Sequence, residues 1–405
     1  MPEKNTQEMA DVIVVGRGPA GLTAAVALAS AGVETTLIGK RPAAADNRTT
    51  ALLAGSVTAL ETLGVWDACR AQAAALKVMR IVDDTGRLIR APEVRFTAEE
   101  IGLDVFGYNI ENRHLIAALE ARAVTLPALR RLDDDVTAVE VDDLGVTVVG
   151  KAGSPLRARL AVGADGRRSL CRQAAGIETS EHRYSQSAVA LSFTHTRPHH
   201  ETSTEFHTPS GPFTVVPLPG SRSSLVWVVD PAEAERIAGL AAPVLADDVE
   251  RHAHSILGKV IIEPGRGVFP LTVTTAKSFA AHRVALVGEA AHVIPPIGAQ
   301  GLNLGLRDAA TIGELVADER RSGGDVGAPH LLARYDELRR RDVGTRSVAV
   351  DLLNRSLLTD FLPVQGARGL GLYLMDHIGP LRRAVMREGV APAAAEPRLM
   401  RGEAL

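Results

Sequence analysis

The spacing of apolar residues along the chain changes period several times. Val12 to Val15 is a short apolar run, followed after a glycine-rich turn by the Ala-rich stretch Pro19 to Ala31, which Gly32 closes. That pattern predicts a buried strand, a turn and a helix. Glu34 to Ile38 is a second strand, Leu52 to Leu63 a helix, and Met79 to Leu103 alternates and breaks as strands leaving this first unit. A helix over His114 to Arg122 and a hairpin of Val136 to Val141 with Val146 to Val149 follow. Leu156 to Val162 then runs into a sharp turn at Asp165 and Gly166, with a capped helix from Ser169 to Ala175. From Ile177 to Pro270 the period falls to two. Val189, Leu191 and Phe193 alternate with small or polar residues, and Phe213 to Leu218 and Ser224 to Asp230 are β-branched runs. This predicts a largely antiparallel sheet with helices at Ala232 to Gly239 and Ala246 to Leu257.

The last part returns to one strand and long helices. Val284 to Val287 suits a buried strand, Pro295 and Pro296 stiffen the loop after it, and an apolar-periodic helix runs to about Val316. Glu314 to Arg341 is polar and helical with a break at Ser322 to Gly324. Leu353, Leu357, Phe361 and Val364 share one helical face, Pro363 marking its end or a kink, and Leu374, Ile378, Leu381 and Val385 share another beside Arg382, Arg383 and Arg387. The succession predicts an α/β chain with one discontinuous strand–helix domain over 11–78, 104–176 and 271–330. An inserted sheet domain takes 79–103 and 177–270, a helical region takes 331–395, and residues 1–10 read as disordered.

Bulk numbers narrow the classes. The 405 residues suffice for two or three domains, and 46% hydrophobic with 23% charged is an ordinary globular balance. A net charge of −3 and only 3% aromatic residues disfavour a nucleic-acid partner. Cys69 and Cys171 form no C-x-x-C, which fits a reducing cytoplasm rather than a disulfide scaffold or zinc knuckle. His195, His199, His200, His207, His252 and His254 lack metal-ligand spacing and read as surface or strand-face residues. The polar start MPEKNTQEMAD has no signal-peptide core, and Val12 to Ala31 is broken by Gly16, Arg17, Gly18, Pro19 and Gly21, which argues against a membrane span.

Three segments carry candidate chemistry. GRGPAG (Gly16 to Gly21) lies between strand and helix, where the glycines permit a tight turn, close approach to a pyrophosphate, and helix–strand packing. GADG (Gly163 to Gly166) follows another strand. RVALVGEAAHVIPPIGAQGLNLGLRD (Arg283 to Asp308) joins a strand, a rigid loop and a helix N-terminus whose free N–H groups favour an electron-rich ligand. The second strand lacks the terminal acid that usually holds a ribose: Gly39 stands there, followed by Lys40 and Arg41. That basic pair suits a phosphate and leaves NADPH open as an occupant of this fold.

In this order the three segments resemble the class A flavin monooxygenases, and the late one looks most like the ubiquinone-biosynthesis hydroxylases, over about residues 11 to 390. The resemblance implies a Rossmann-like FAD-binding domain of the para-hydroxybenzoate hydroxylase type, an inserted antiparallel β-sheet substrate domain and a C-terminal helical segment. It implies FAD as cofactor, with NAD(P)H or another donor as transient reductant. The cofactor contacts carried over are Gly16, Gly18, Pro19, Ala20, Gly21, Lys40, Arg41, Arg48, Arg113, Asp165, Gly166, Gly288, Glu289, Gly301, Leu302 and Asn303. Pro295, Pro296 and Gly298 would position substrate and flavin, with no acid–base residue assigned. By their own surroundings, Arg48 and Arg113 read equally as charges at helix starts. Glu289 replaces the family's Asp, so Glu289 and Gly39 together predict weaker FAD retention. The activity implied is hydroxylation of a polyprenylated phenol by dioxygen in ubiquinone biosynthesis, in the cytoplasm and peripherally at the inner face of the membrane. Association with other proteins of that pathway is also implied. Two alternatives stand beside it: a hydroxylase of a small aromatic acid or phenol, and a non-catalytic flavin-binding subunit of a biosynthetic assembly.

Overall fold

A computed structural model describes residues 9–41, 48–86, 92–296, 299–358, 377–390 and 396–405, without the side chains of 345–358 and 388–390. Its helices are α1 (Pro19–Ser30), α2 (Ala54–Thr62), α3 (Asn112–Val124), α4 (Leu170–Ala174), α5 (Pro231–Gly239), α6 (Ala242–His252), α7 (Gln300–Arg321), α8 (Pro329–Leu358) and α9 (Gly379–Val390).

The four-residue apolar run found in the sequence is the middle of a parallel sheet. Val284–Leu286, Leu156–Gly163, Ala10–Val15, Thr35–Ile38 and Leu129–Leu132 lie side by side and all run the same way. Val12 to Val15 are at most 2% exposed because α1, α3 and α7 cover the sheet. Burying each such Val or Leu contributes about 1.5–3 kcal/mol. The hairpin Val136–Val141 and Val146–Gly150 extends the sheet antiparallel to Leu156–Gly163.

The period-two segment forms a second, nine-stranded sheet. Its pairs are antiparallel except where Thr202–Thr208 runs parallel to Val78–Asp83. Alternation decides its faces: Val189, Leu191, Phe193, Phe213, Val215, Leu225 and Trp227 pack together on one side with Ile237 of α5 and Leu245 and Val249 of α6. The other side carries small residues such as Ala188, Ala190 and Ser224. Asn109, from a small sheet of Thr49–Leu53, Ala73–Leu76 and Gly107–Glu111, reaches it with Nδ2 donating to Pro217 O (2.8 Å) and Ser224 Oγ (3.1 Å).

The α/β class holds, with local corrections. Thr49 to Leu53 is a strand paired with Gly107–Glu111, so the helix expected from Leu52 starts at Ala54; two β-branched threonines next to a waiting edge outweigh the helical period. The second expected helix of the inserted region lies earlier, at Ala242–His252. Pro243 sits in its first turn, and the left-handed φ of His254 (49°) and Ser255 (51°) ends it. Gly267–Ala276 continues in the second sheet past residue 270, and His292–Val293 pairs with it. The late loop thus leaves the first sheet and immediately touches the second.

Candidate cofactor site

The glycine-rich segments all fall at the C-terminal ends of neighbouring parallel strands, the position where open α/β sheets bind ligands. Backbone bonds carry the pairing past the strand ends: Gly16 N to Ile38 O (2.8 Å), Ala164 N to Val15 O (2.7 Å) and Val287 N to Gly163 O (2.9 Å). The first and second corners are in near contact. Gly16 has φ +114°, and a Cβ there would lie 2.1 Å from Ala164 O, so no other residue fits. Across the second and third corners, Arg172 of α4 donates to Ala290 O (2.8 Å), and Arg167 meets Glu289 at 3.3 Å. The third corner closes on the first through Ala20: a Cβ built on Gly305 of α7 would lie 3.2 Å from both Ala20 Cβ and Gly288 Cα. Three corners therefore meet around one point.

Beside the first and second corners is a cavity of about 440 Å³, lined by Gly16, Arg17, Gly18, Gly39, Lys40, Asp135, Asp165 and Gly166 among others. Of the expected contacts, Gly16, Gly18, Lys40, Asp165 and Gly166 line it. Pro19 and Gly21 lie in the first turns of α1, with Ala20 packed beneath. Asp165 presents backbone there, because its carboxylate is engaged elsewhere: Oδ1 accepts from Ser169 Oγ (2.5 Å), and Oδ2 accepts from Leu170 N (2.7 Å) and Cys171 N (3.1 Å). It caps α4 and fixes the turn.

Both members of the basic pair after the second strand have acidic partners. Lys40 Nζ sits 2.5 Å from Asp135, and Arg41 Nε sits 3.3 Å from Asp133. Both partners are acids from the neighbouring strand end, and Lys40 lines the cavity while Arg41 does not. Gly39 is likewise explained by backbone: φ is +155°, and a Cβ would lie 3.1 Å from Arg17 N and Gly16 Cα. An acid grafted at this position would be strained.

The remaining expected contacts stand away from the cavity. Arg48 is exposed, its carbonyl accepting from Asn112 N (2.8 Å). Arg113 donates from Nη2 to both oxygens of buried Glu111 (3.0 Å each), and Arg222 from the second sheet reaches the same carboxylate (3.4 Å). Glu289 is half exposed. Pro295 is buried and Pro296 exposed, while Gly298 lies outside the described residues. Nothing lies within 4 Å of a Cβ built on Gly301, so the first turn of α7 opens to space beside the partly buried Leu302. The Asn303 side chain is a tie rather than a ligand: Oδ1 accepts from Leu53 N (2.9 Å), and Nδ2 donates to Ala51 O (2.8 Å) and Ala299 O (2.5 Å). Ala299, at φ +56°, turns the chain into the helix.

Sequence reasoning missed the buried charges behind the third corner. Asp308 is fully buried; Oδ2 accepts from Gly288 N (2.9 Å) and meets His292 Nε2 at 2.7 Å, and Oδ1 accepts from Arg339 Nε of α8 (2.6 Å). Arg339 and Arg307 then share Asp342. Burial alone would raise the Asp308 carboxyl, but His292, Arg339 and the Gly288 N–H hold it below the ordinary value. The signal was present as a histidine and an aspartate sixteen residues apart in one motif, but Arg339 is too distant to be inferred. Of the other histidines, His195 meets Arg197 O (2.8 Å) and Ser223 Oγ (3.0 Å), and His252 Nδ1 meets Asp248 O (2.8 Å). Among the described residues no group of three His, Cys, Asp or Glu could hold a metal.

The family model described as "FAD binding domain" matches residues 9–350. The chain belongs to this FAD-binding family. It is 37% identical to ubiquinone hydroxylase UbiL of Rhodospirillum rubrum over 98% of this chain and 94% of that one. It is 31% identical to 3-demethoxyubiquinol 3-hydroxylase of Escherichia coli over 94% and 98%. In fold it resembles p-nitrophenol 4-monooxygenase PnpA from Pseudomonas putida, with a TM-score of 0.75 at 24% identity over 94% and 96% of the two chains. As a member of this FAD-dependent monooxygenase family the chain takes FAD. The residues present fit it: glycines at 16 and 21 where a Cβ would strike backbone, and a cavity whose size suits the adenosine–pyrophosphate end of a dinucleotide.

Proposed function

We propose that this FAD-dependent monooxygenase hydroxylates a polyprenylated phenol on the way to ubiquinone. The observation that carries the reading is full-length likeness, at 37% identity, to a ubiquinone hydroxylase. Bound FAD would supply the dioxygen activation that no side chain provides. The chain's own residues bind, orient and shield. Gly16, Gly18 and the N-terminus of α1 offer backbone donors to the pyrophosphate. The first turn of α7, at Gly301, Leu302 and Asn303, offers donors and positive dipole to the flavin's pyrimidine edge. Pro295 and Pro296 present a stiff loop between the two sheets toward the phenol, and NAD(P)H is the reductant. The second sheet's small-residue face serves as the substrate wall, with the apolar neighbours Ala188, Val226 and Val228 suited to a prenyl chain.

Among the described residues no helix is long and apolar enough to cross a membrane. Peripheral contact is assigned to α9, whose approach brings Ile378, Leu381 and Val385 to the surface, 43%, 41% and 46% exposed. Met386 on its other side is buried, and Arg382 is held by Glu100 and lies 4.6 Å over the Phe96 ring. Of the expected faces, Phe361, Val364 and Leu374 lie outside the described residues, and Leu353 and Leu357 lie on α8 where side chains are not described.

The test is turnover by the purified holoprotein together with quinone-pool analysis of a deletion strain. Hydroxylation of a prenylphenol and accumulation of a deshydroxy or demethoxy quinone precursor are expected. Turnover of a simple hydroxybenzoate with none of a prenylphenol would overturn the reading.

A further inference from the structure

The second strand ends without an acid, yet the cavity beside it does not lack one. Thr35–Ile38 runs parallel to Leu129–Leu132, with Ile38 level with Leu132, and Gly39 N donates to Leu132 O (3.3 Å). The three residues after Leu132 are Asp133, Asp134 and Asp135, so the neighbouring strand brings carboxylates to the level that position 39 leaves empty. Among the described residues, two acidic residues line the cavity, Asp135 and Asp165. Asp165 is consumed in capping α4. Asp135 is anchored by its backbone, its carbonyl accepting from Lys151 N (2.8 Å), its half-exposed carboxylate pairs with Lys40 Nζ (2.5 Å), and it lines the same cavity as Gly39. The notch is backbone on both walls, at Gly16 and Arg17, which leaves room for a sugar where a side chain would clash.

We infer that Asp135 is the carboxylate that accepts hydrogen bonds from the hydroxyls of the FAD adenosine ribose in this chain, delivered from one strand over in place of an acid at position 39. Lys40 is only its exposed ion-pair partner, at 2.5 Å. The departure at Gly39 is then a relocation of the ribose contact rather than its loss.

The assignment is tested by fluorescence titration of apoprotein with FAD and with FAD lacking the 2′-hydroxyl on its adenosine ribose. Asp135→Ala is expected to weaken FAD binding by about 10–100-fold, the range of a hydrogen bond to a charged group. Wild type is expected to prefer FAD over the deoxy analogue by about 10-fold, and Asp135→Ala to bind the two alike. Lys40→Met, which removes the ion pair but leaves the acid, is expected to keep the preference. Unchanged FAD affinity in Asp135→Ala, a preference that survives in it, or loss of the preference in Lys40→Met would each overturn the inference. Wild-type protein that binds no FAD at all would overturn the cofactor reading and this assignment with it.

Discussion

Two sets of ion pairs brace the cofactor corners, and they differ in almost every physical respect. Behind the third corner, His292, Asp308 and Arg339 are nearly inaccessible, at 1%, 0% and 3% side-chain exposure, and bonded into one network. At the lip of the first corner, Lys40–Asp135 and Arg41–Asp133 stand in solvent, with the cations 69% and 66% exposed. Buried charges that lose one partner leave the other uncompensated in low dielectric, while exposed pairs are screened and nearly neutral in energy. The buried set therefore holds the corner's shape, and the exposed set is free to exchange partners with a ligand. A site can be rigid and receptive when the two tasks go to different charges.

The comparison is broken most directly at Asp308. Asp308→Ala is expected to cost about 3–5 kcal/mol in urea denaturation, because Arg339, His292 and the Gly288 N–H all lose their acceptor; a cost below about 1 kcal/mol would make the network ornamental. The same carboxyl has a lowered folded-state pKa. Its stabilisation is therefore complete above the ordinary aspartate range and disappears as pH falls below it.

Gly16→Ala comes next. Forcing a Cβ against Ala164 O at φ +114° is expected to cost about 1–3 kcal/mol of stability and to abolish FAD retention, read by flavin content after purification. Retained flavin would mean that the corners do not meet as described.

The pair that docks α9 is intermediate in exposure and should be intermediate in effect. Arg382, chiefly through its hydrogen bonds, holds the Glu100 carboxyl at about 2 against an ordinary 4.5, with the Thr97 N–H assisting. The folded value is the lower one, so the stabilisation is present above pH 4.5 and is lost as pH falls toward 2. Hydrogen exchange should show α9 opening between pH 4 and pH 2 (roughly the span of that titration), and Glu100→Gln should loosen it at neutral pH by about 1–2 kcal/mol. Exchange in α9 that does not change with pH would remove Glu100 as its anchor.

The smallest effect belongs to the lip. Arg41→Ala is expected to shift stability by less than about 1 kcal/mol in the same urea assay. A larger loss would show that the exposed pairs also carry the corner, and the division of labour would fail.

The parts that sequence alone determined are local. The strand–glycine–helix passages, the alternating run and the two-proline loop follow from periods of two and 3.6 and from backbone-restricted residues, which act over a few positions. Thr49 to Leu53 escaped because a strand edge from Gly107–Glu111 recruited it. Tertiary structure alone decided what the charges mean. Lys40 and Arg41 are paired with Asp135 and Asp133 from the neighbouring strand end, and the Asn303 side chain ties α7 to Leu53 and Ala51. Asp308 had no role until Arg339 arrived from α8. Periodicity is a property of neighbours along the chain, whereas the work of a charge is set by its neighbours in space.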